Sequence, residues 1–256
     1  MNLCRQLLYS PLYVNKQMLE ISLRNSSIHV KKTYVLCSHS TWNESNYKWD
    51  YDTAFINRIQ STYHCEFIFG NWPNEHVMRN AGIDLAKSDG YDWMIIQDAD
   101  EFITDETFNV LKTHMLLNPN SHGLKLPMIT FWKDWEHVLV DAQNKPAIFN
   151  ALMAVNLSTE SYFVDNRNPN NHLRYLTCES SPVFHGSYVL TNEELQRKLS
   201  SWGHAKDFNT DEWYNNIWVK WNYDTSLENL HPTHPWIWKR AIKLEFKDKP
   251  YVLCNI

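Results

Sequence analysis

Between Thr33 and Phe102 the chain alternates short apolar runs with longer stretches of helical periodicity. Thr33-Tyr34-Val35-Leu36-Cys37-Ser38, Cys65-Glu66-Phe67-Ile68-Phe69 and Trp93-Met94-Ile95-Ile96 have the length and the β-branched or aromatic content of buried strands. Tyr47, Tyr51, Phe55 and Ile59 recur every fourth residue within Glu44 to Gln60, which predicts an amphipathic helix. Val77, Ala81 and Leu85 form a second stripe behind an Asn74 N-cap, stopped by Ser88-Asp89-Gly90. This β-α-β-α-β order with short connections predicts a parallel sheet, and ligands of such sheets bind beyond the carboxyl ends of the strands. Ser38, Asn71 and Asp98 would share that rim.

Elsewhere the pattern is less regular. Residues 1–31 read as a mixed lead-in with a short helix around Lys16 to Leu23. Thr104 can cap a helix with Asp105 and Glu106 in its first turn and Phe108, Leu111 and Met115 on its buried face. Gly123 to Phe131 reads as a strand interrupted by Pro127, and the apolar segment Ala147 to Leu157 fits either periodicity. Asp165 to Asn171, rich in Asn and holding Pro169, reads as a mobile loop. Thr191-Asn192-Glu193-Glu194 is a capping box opening a helix that buries Leu195 and Leu199 and stops at Gly203. Trp213, Ile217, Trp218 and Trp221 have helical spacing and read mainly as core. His231-Pro232-Thr233-His234-Pro235-Trp236 reads as a rigid loop before a basic end, Lys239 to Lys249. No repeat or linker divides the chain, so one domain is expected.

Composition narrows the chemistry. With 256 residues, 43% hydrophobic and 21% charged, the chain can bury one sizeable core. The net charge of −5 carries no overall nucleic-acid signature. Six Gly and no G-x-G-x-x-G or P-loop motif argue against those phosphate cradles. An aromatic share of 14%, with 12 Trp, suggests surfaces that stack on rings or sugars as well as a core. Five widely spaced Cys without a C-x-x-C point to a reducing compartment. No apolar run reaches membrane-spanning length and the first ten residues lack signal-peptide features, so a soluble, cytoplasmic protein is expected.

The strongest chemical signal is the end of the third strand, where Trp93 to Ile96 runs into Gln97-Asp98-Ala99-Asp100-Glu101-Phe102. Strand side chains alternate, so Asp98 and Asp100 face one side and Ala99 the other. Two carboxylates on the tip of a buried strand repel each other and are costly to desolvate unless a cation lies between them. Mg²⁺ and Mn²⁺ suit oxygen ligands of this kind. A second Asp-x-Asp, Asp50-Tyr51-Asp52, lies in a polar, helix-like stretch and reads as an ordinary surface pair.

Arg79-Asn80-Ala81-Gly82, followed by Tyr91-Asp92-Trp93 and Asp98-Ala99-Asp100-Glu101-Phe102, resembles the GT-A glycosyltransferases, in particular a family-2-like branch. Pro182-Val183-Phe184-His185 is similar to the late histidine of that branch. The resemblance covers about residues 32–105 well and 180–200 loosely. It implies one GT-A domain over residues 1–256, an α/β, Rossmann-like and mostly parallel central sheet flanked by helices, with a helical, aromatic-rich C-terminal part. A nucleotide-sugar and metal half would span about 32–130 and an acceptor half about 131–256.

By the same resemblance, Mn²⁺ or Mg²⁺ bridges the Asp-x-Asp to the diphosphate of a nucleotide-sugar donor, a UDP-sugar first. Asp100 would be a metal ligand, Asp98 a metal or ribose ligand and His185 a third metal ligand. Arg79 would pair with the diphosphate or with Asp98. Ser38, His39 and Asn71 would meet the base and ribose. For the base that deprotonates the acceptor, Asp134 and Glu136 are first choices, because Trp132-Lys133-Asp134-Trp135-Glu136-His137 crowds carboxylates among rings; Asp165 and Glu179 also remain. The acceptor is expected to be a glycan or a hydroxymethylated base in phage or viral DNA. In the second case Lys125, Lys133, Arg167, Arg174, Arg197 and Lys198 would face the DNA. Two other classes compete: a metal-dependent hydrolase or phosphotransferase, and a non-catalytic carbohydrate-binding protein.

Overall fold

The computed structural model describes residues 1–10, 14–42, 51–170, 174–179 and 181–244. In chain order the elements are β1 (Leu3–Leu8), α1 (Lys16–Ser26), β2 (Thr33–Ser38), α2 (Thr53–Thr62), β3 (Cys65–Gly70), α3 (Glu75–Ser88), β4 (Trp93–Asp98), β5 (Glu101–Phe102), α4 (Asp105–Leu117), β6 (Gly123–Trp132), β7 (Asp134–Val140) and β8 (Ile148–Asn156). They continue with β9 (Phe163–Asp165), β10 (Asn168–Pro169), β11 (Tyr175–Thr177), β12 (Val183–Tyr188), α5 (Asn192–Ser201), α6 (Thr210–Trp213), which runs into a π-helical turn (Tyr214–Trp218), and β13 (Arg240–Lys243).

The main sheet runs β13-β7-β6-β8-β4-β1-β2-β3. Its β4-β1-β2-β3 half is parallel throughout, as the βα alternation predicts. Beyond β4 the neighbours β8, β6, β7 and β13 join antiparallel, while β11 and β12 add to β6 in parallel. Helices cover both faces of the parallel half, because alternate strand residues face opposite layers. Leu7, Val35 and Phe67 pack under α1 and α2, whereas Leu8, Leu36, Met94 and Ile96 pack under α3. The Trp-rich C-terminal part forms its own cluster, in which Trp213, Trp218 and Trp221 surround Trp132 and Tyr188. No helix among the described residues is long and apolar enough to cross a membrane.

Several expectations change. The lead-in contains β1, which pairs with both β2 and β4 at the centre of the parallel half. Arg5 and Gln6 interrupt its apolar run and hide it from a hydrophobicity pattern. Both are fully buried, and Arg5 donates to the Ser22 carbonyl and hydroxyl, to Gln97 Oε1 and to Thr33 Oγ1. β6 is continuous through Pro127, which sits in the gap where β11 has ended opposite Lys125 and β12 has yet to begin opposite Met128. Ala147 to Leu157 is mostly β8. The first part of the helix expected from Glu44, with Asp50 of the second Asp-x-Asp, lies outside the described residues. Asp52 caps α2 by accepting from the Phe55 amide and pairs with Lys16, an ordinary structural role.

Candidate functional site

The carboxyl ends of β1, β2 and β4 open into one cleft, because Leu8 lies in register with both Leu36 and Asp98. Asp98 and Asp100 line this cleft together with Ser38, His185, Ser187 and Lys198. The strand stops at Asp98 and the chain turns through Ala99, which is fully buried in the core, so both carboxylates still face the cleft.

His185 reaches the same place from the far side of the sequence. β5 and β12 pair antiparallel with His185 opposite Glu101, and the Gly186 amide donates to the Asp100 carbonyl at 2.7 Å. His185 Nε2 then stands 3.9 Å from Asp100 Oδ1, and its Nδ1 is 3.5 Å from Thr130 Oγ1. Gly186 is required by packing: a Cβ there would lie 2.4 Å from Cη2 of Trp135. Trp135 is therefore core, buried against Phe102, Phe131 and Gly186, and presents no ring to an acceptor.

Each matched position of Arg79-Asn80-Ala81-Gly82 has a visible physical task. Arg79, fully buried, donates from Nη2 to both oxygens of Asp98 at 2.8 and 3.1 Å and from Nε and Nη2 to Glu75 Oε1. It pairs with Asp98, one of its two expected partners. Asn80 exchanges two hydrogen bonds with the Phe163 backbone and so ties α3 to β9. Gly82 lets α3 approach β1, since a Cβ would meet Gln6 Oε1 at 2.3 Å. Burial works to raise the Asp98 carboxyl, but Arg79 and Arg167 outweigh it and hold the group below the usual carboxylate range.

Glu101 completes the frame. Its Oε2 accepts the Asp98 amide, and Arg167 grips both carboxylate oxygens while donating to the Ile96 carbonyl at 3.0 Å. Arg167 sits between β9 and β10, inside the segment read as a mobile loop; its buried ion pair pins that loop to the site. Arg167 thus faces inward and cannot face DNA. Lys198 is also buried, and Lys133 lies over the Trp218 ring at 3.6 Å, where burial lowers its ammonium to about 8. Of the six cations named for a DNA contact, Lys133 and Arg167 are engaged within the protein and Lys198 lines the cleft.

The remaining candidates divide. Ser38 lines the cleft and bonds locally to Ser40. His39 and Asn71 are exposed just beyond β2 and β3 and do not line the cleft, and His39 stacks on Phe69 with centroids 5.6 Å apart. Asp134 and Glu136 lie outside it as well. One Asp134 oxygen accepts from the amides of Glu136 and His137, both contact His137 Nδ1, and Tyr223 donates to the second. Glu136 borders a separate cavity of about 820 Å³ beside β13. Asp165 is exposed on β9, and Glu179 is exposed and does not line the cleft.

The donor set suits a hard divalent cation: carboxylate oxygens and an imidazole nitrogen whose ring is positioned through its other nitrogen. Among the described residues no three His, Cys, Asp or Glu side chains converge closely enough to hold an ion unaided. Such an ion would need further oxygens from a ligand, and Mg²⁺ commonly joins one or two carboxylates to phosphate in this way.

Sequence reasoning missed Lys198 as a cleft residue. The signal was present, since Leu195, Lys198 and Leu199 share one helical face, which places a cation on the buried stripe of α5.

No known family profile matches the sequence, and no curated protein matches it. Solved structures of similar shape include 4-diphosphocytidyl-2C-methyl-D-erythritol synthase from Anaerococcus prevotii DSM 20548, at 10% identity and a TM-score of 0.44, covering 78% of this chain and 94% of that one. Residues 1–349 of S. aureus TarS align at 13% identity and a TM-score of 0.45, over 84% of this chain and 78% of that one. A protein described as a nucleotide-diphospho-sugar transferase from Desulfovibrio desulfuricans G20 aligns at 9% identity and a TM-score of 0.42, over 73% and 83%. Likeness at this level carries no functional assignment, and the chain's own residues have to supply one.

Proposed function

We propose that the protein is a metal-dependent glycosyltransferase that moves a sugar from a nucleotide-sugar, a UDP-sugar first, to a hydroxyl acceptor. The observation that carries this reading is the meeting of Asp98, Asp100 and His185 in one cleft at the strand ends, with a donor set that a phosphate-bound cation would complete. Breaking a sugar–phosphate bond leaves a nucleoside diphosphate with added negative charge, and a bound Mn²⁺ or Mg²⁺ stabilises that charge as a Lewis acid by several kcal/mol. Asp100 and His185 present oxygen and nitrogen donors toward the cleft. Arg79 keeps Asp98 ionised and in place, and Ser38 offers a hydroxyl where the ribose would enter. Among acceptors a glycan hydroxyl is favoured over a DNA base, because Lys133 and Arg167 are engaged within the protein and Lys198 lines the donor cleft.

The test is a screen of UDP-, GDP- and TDP-sugars with Mn²⁺ against glycan and hydroxymethylated-DNA acceptors. Slow release of nucleoside diphosphate without acceptor, quickened by a glycan, is the expected result. Asp100→Asn should abolish it while leaving the thermal melting temperature unchanged. Release of inorganic phosphate from simple esters would favour a hydrolase, and donor release undiminished in the Asp100 variant would remove the central assignment.

A further inference from the structure

α5 ends against the cleft with Lys198, whose residue exposure is 4%. Burying a lysine ammonium is costly unless its environment needs the charge. Its Nζ donates to the Ser187 carbonyl at 2.9 Å and to the Ser187 hydroxyl at 2.6 Å, so its tip is aimed at a point two residues beyond His185. The rings of Tyr188 and Trp202 lie 5.5 and 5.6 Å from Nζ and confine the chain from two directions. Burial lowers the proton affinity of its ammonium, and Asp100 and Asp98 act through space in the opposite direction without reversing that shift. The cleft therefore holds a preorganised cation beside its two carboxylates.

Position along the cleft gives that cation a task. Ser38 ends β2, the carboxylates lie two strands over at β4 and its turn, His185 and Ser187 lie on β12 beside that turn, and Lys198 reaches Ser187 from α5. A nucleoside diphosphate entering from the β2 side and reaching the carboxylates would bring its outer phosphate toward Lys198.

We propose that Lys198 is a catalytic residue that binds the outer phosphate of the nucleoside diphosphate and stabilises it as the leaving group. The inference rests on the transferase reading above. In the transfer, the bond from the anomeric carbon to the phosphate oxygen breaks with its electron pair left on that oxygen. The acceptor oxygen forms the new bond to the anomeric carbon and its proton passes to solvent. Lys198 loses no proton; its N–H groups exchange the Ser187 oxygens for phosphate oxygens, which carry more charge and bind it more strongly.

The test compares, by calorimetry with Mn²⁺ present, whichever of UDP, GDP and TDP binds best with the matching monophosphate. Lys198→Met should weaken the diphosphate by about tenfold or more and leave the monophosphate nearly unchanged. A merely structural role, tying α5 to β12, would weaken both alike; that result, or an unchanged preference for diphosphate, overturns the inference while leaving the transferase reading intact. Wild-type protein that binds no nucleoside diphosphate overturns both. Should Lys198→Met fail to fold by circular dichroism, Lys198→Gln, which keeps a donor for the Ser187 carbonyl but not the charge, carries the same expectation.

Discussion

Asp98 is held by one guanidinium and Asp100 by none of the described ion pairs shorter than 3.9 Å, and this asymmetry divides their work. Arg79 is sealed from solvent between Asp98 and Glu75, so its replacement strands two carboxylates beside a buried space. Arg79→Met should cost about 3 kcal/mol at neutral pH, the scale of a broken buried pair. The pH dependence has a definite sign. A carboxyl whose native pKa lies below its unfolded value of 3.8 stabilises the native state above that value, and the contribution is lost as pH falls through the native pKa. Without Arg79 the Asp98 carboxyl takes up a proton more readily than in wild type, so the stability gap between wild type and Arg79→Met, measured by urea unfolding from pH 7 to pH 3, should narrow as pH falls. A gap of constant size across that range contradicts the assignment of Asp98 as the ionised partner.

At the scale of elements, the site depends on two distant pieces meeting in register: the turn after β4 and the strand β12. Gly186 is where they touch, and Trp135 leaves no room there for a methyl group. Gly186→Ala should displace β12 and His185, cost about 1–3 kcal/mol in overpacking and weaken Mn²⁺-dependent nucleotide binding together with stability. An alanine variant with wild-type melting temperature and binding would show that β12 tolerates the shift. Much of this architecture was legible in the chain. The strands at Thr33, Cys65 and Trp93 and the caps at Asn74, Thr104 and Thr191 are local signals, and each appears where its physics predicts. β1 was not legible, because Arg5 and Gln6 look like surface residues until Ser22 and Gln97 are seen to satisfy Arg5. The 165–171 loop was misread for a similar reason: nothing local to Arg167 announces its partner Glu101, which is distant in sequence.

Across the whole molecule, parallel strands with aligned carboxyl ends put the acids on a rim, and the antiparallel half returns the chain to deliver His185 and Lys198 there. That Asp98, Asp100 and Arg79 would lie near one another was suggested by motif, and that His185 would join them by the resemblance of Pro182-Val183-Phe184-His185; the cleft does bring them together. The other contents of the second half could not be read in this way. Asp134 and Glu136 attracted notice for their aromatic neighbours, yet Trp132 and Trp135 are core and the two carboxylates lie outside the cleft. A cation shared between this protein and a diphosphate requires that each ligand strengthen the other by one common factor. The decisive measurement is the titration of Mn²⁺ with and without UDP, and of UDP with and without Mn²⁺. The expected result is mutual enhancement of about tenfold or more, equal in both directions and lost in Asp100→Asn. UDP binding that is indifferent both to Mn²⁺ and to that substitution would contradict it.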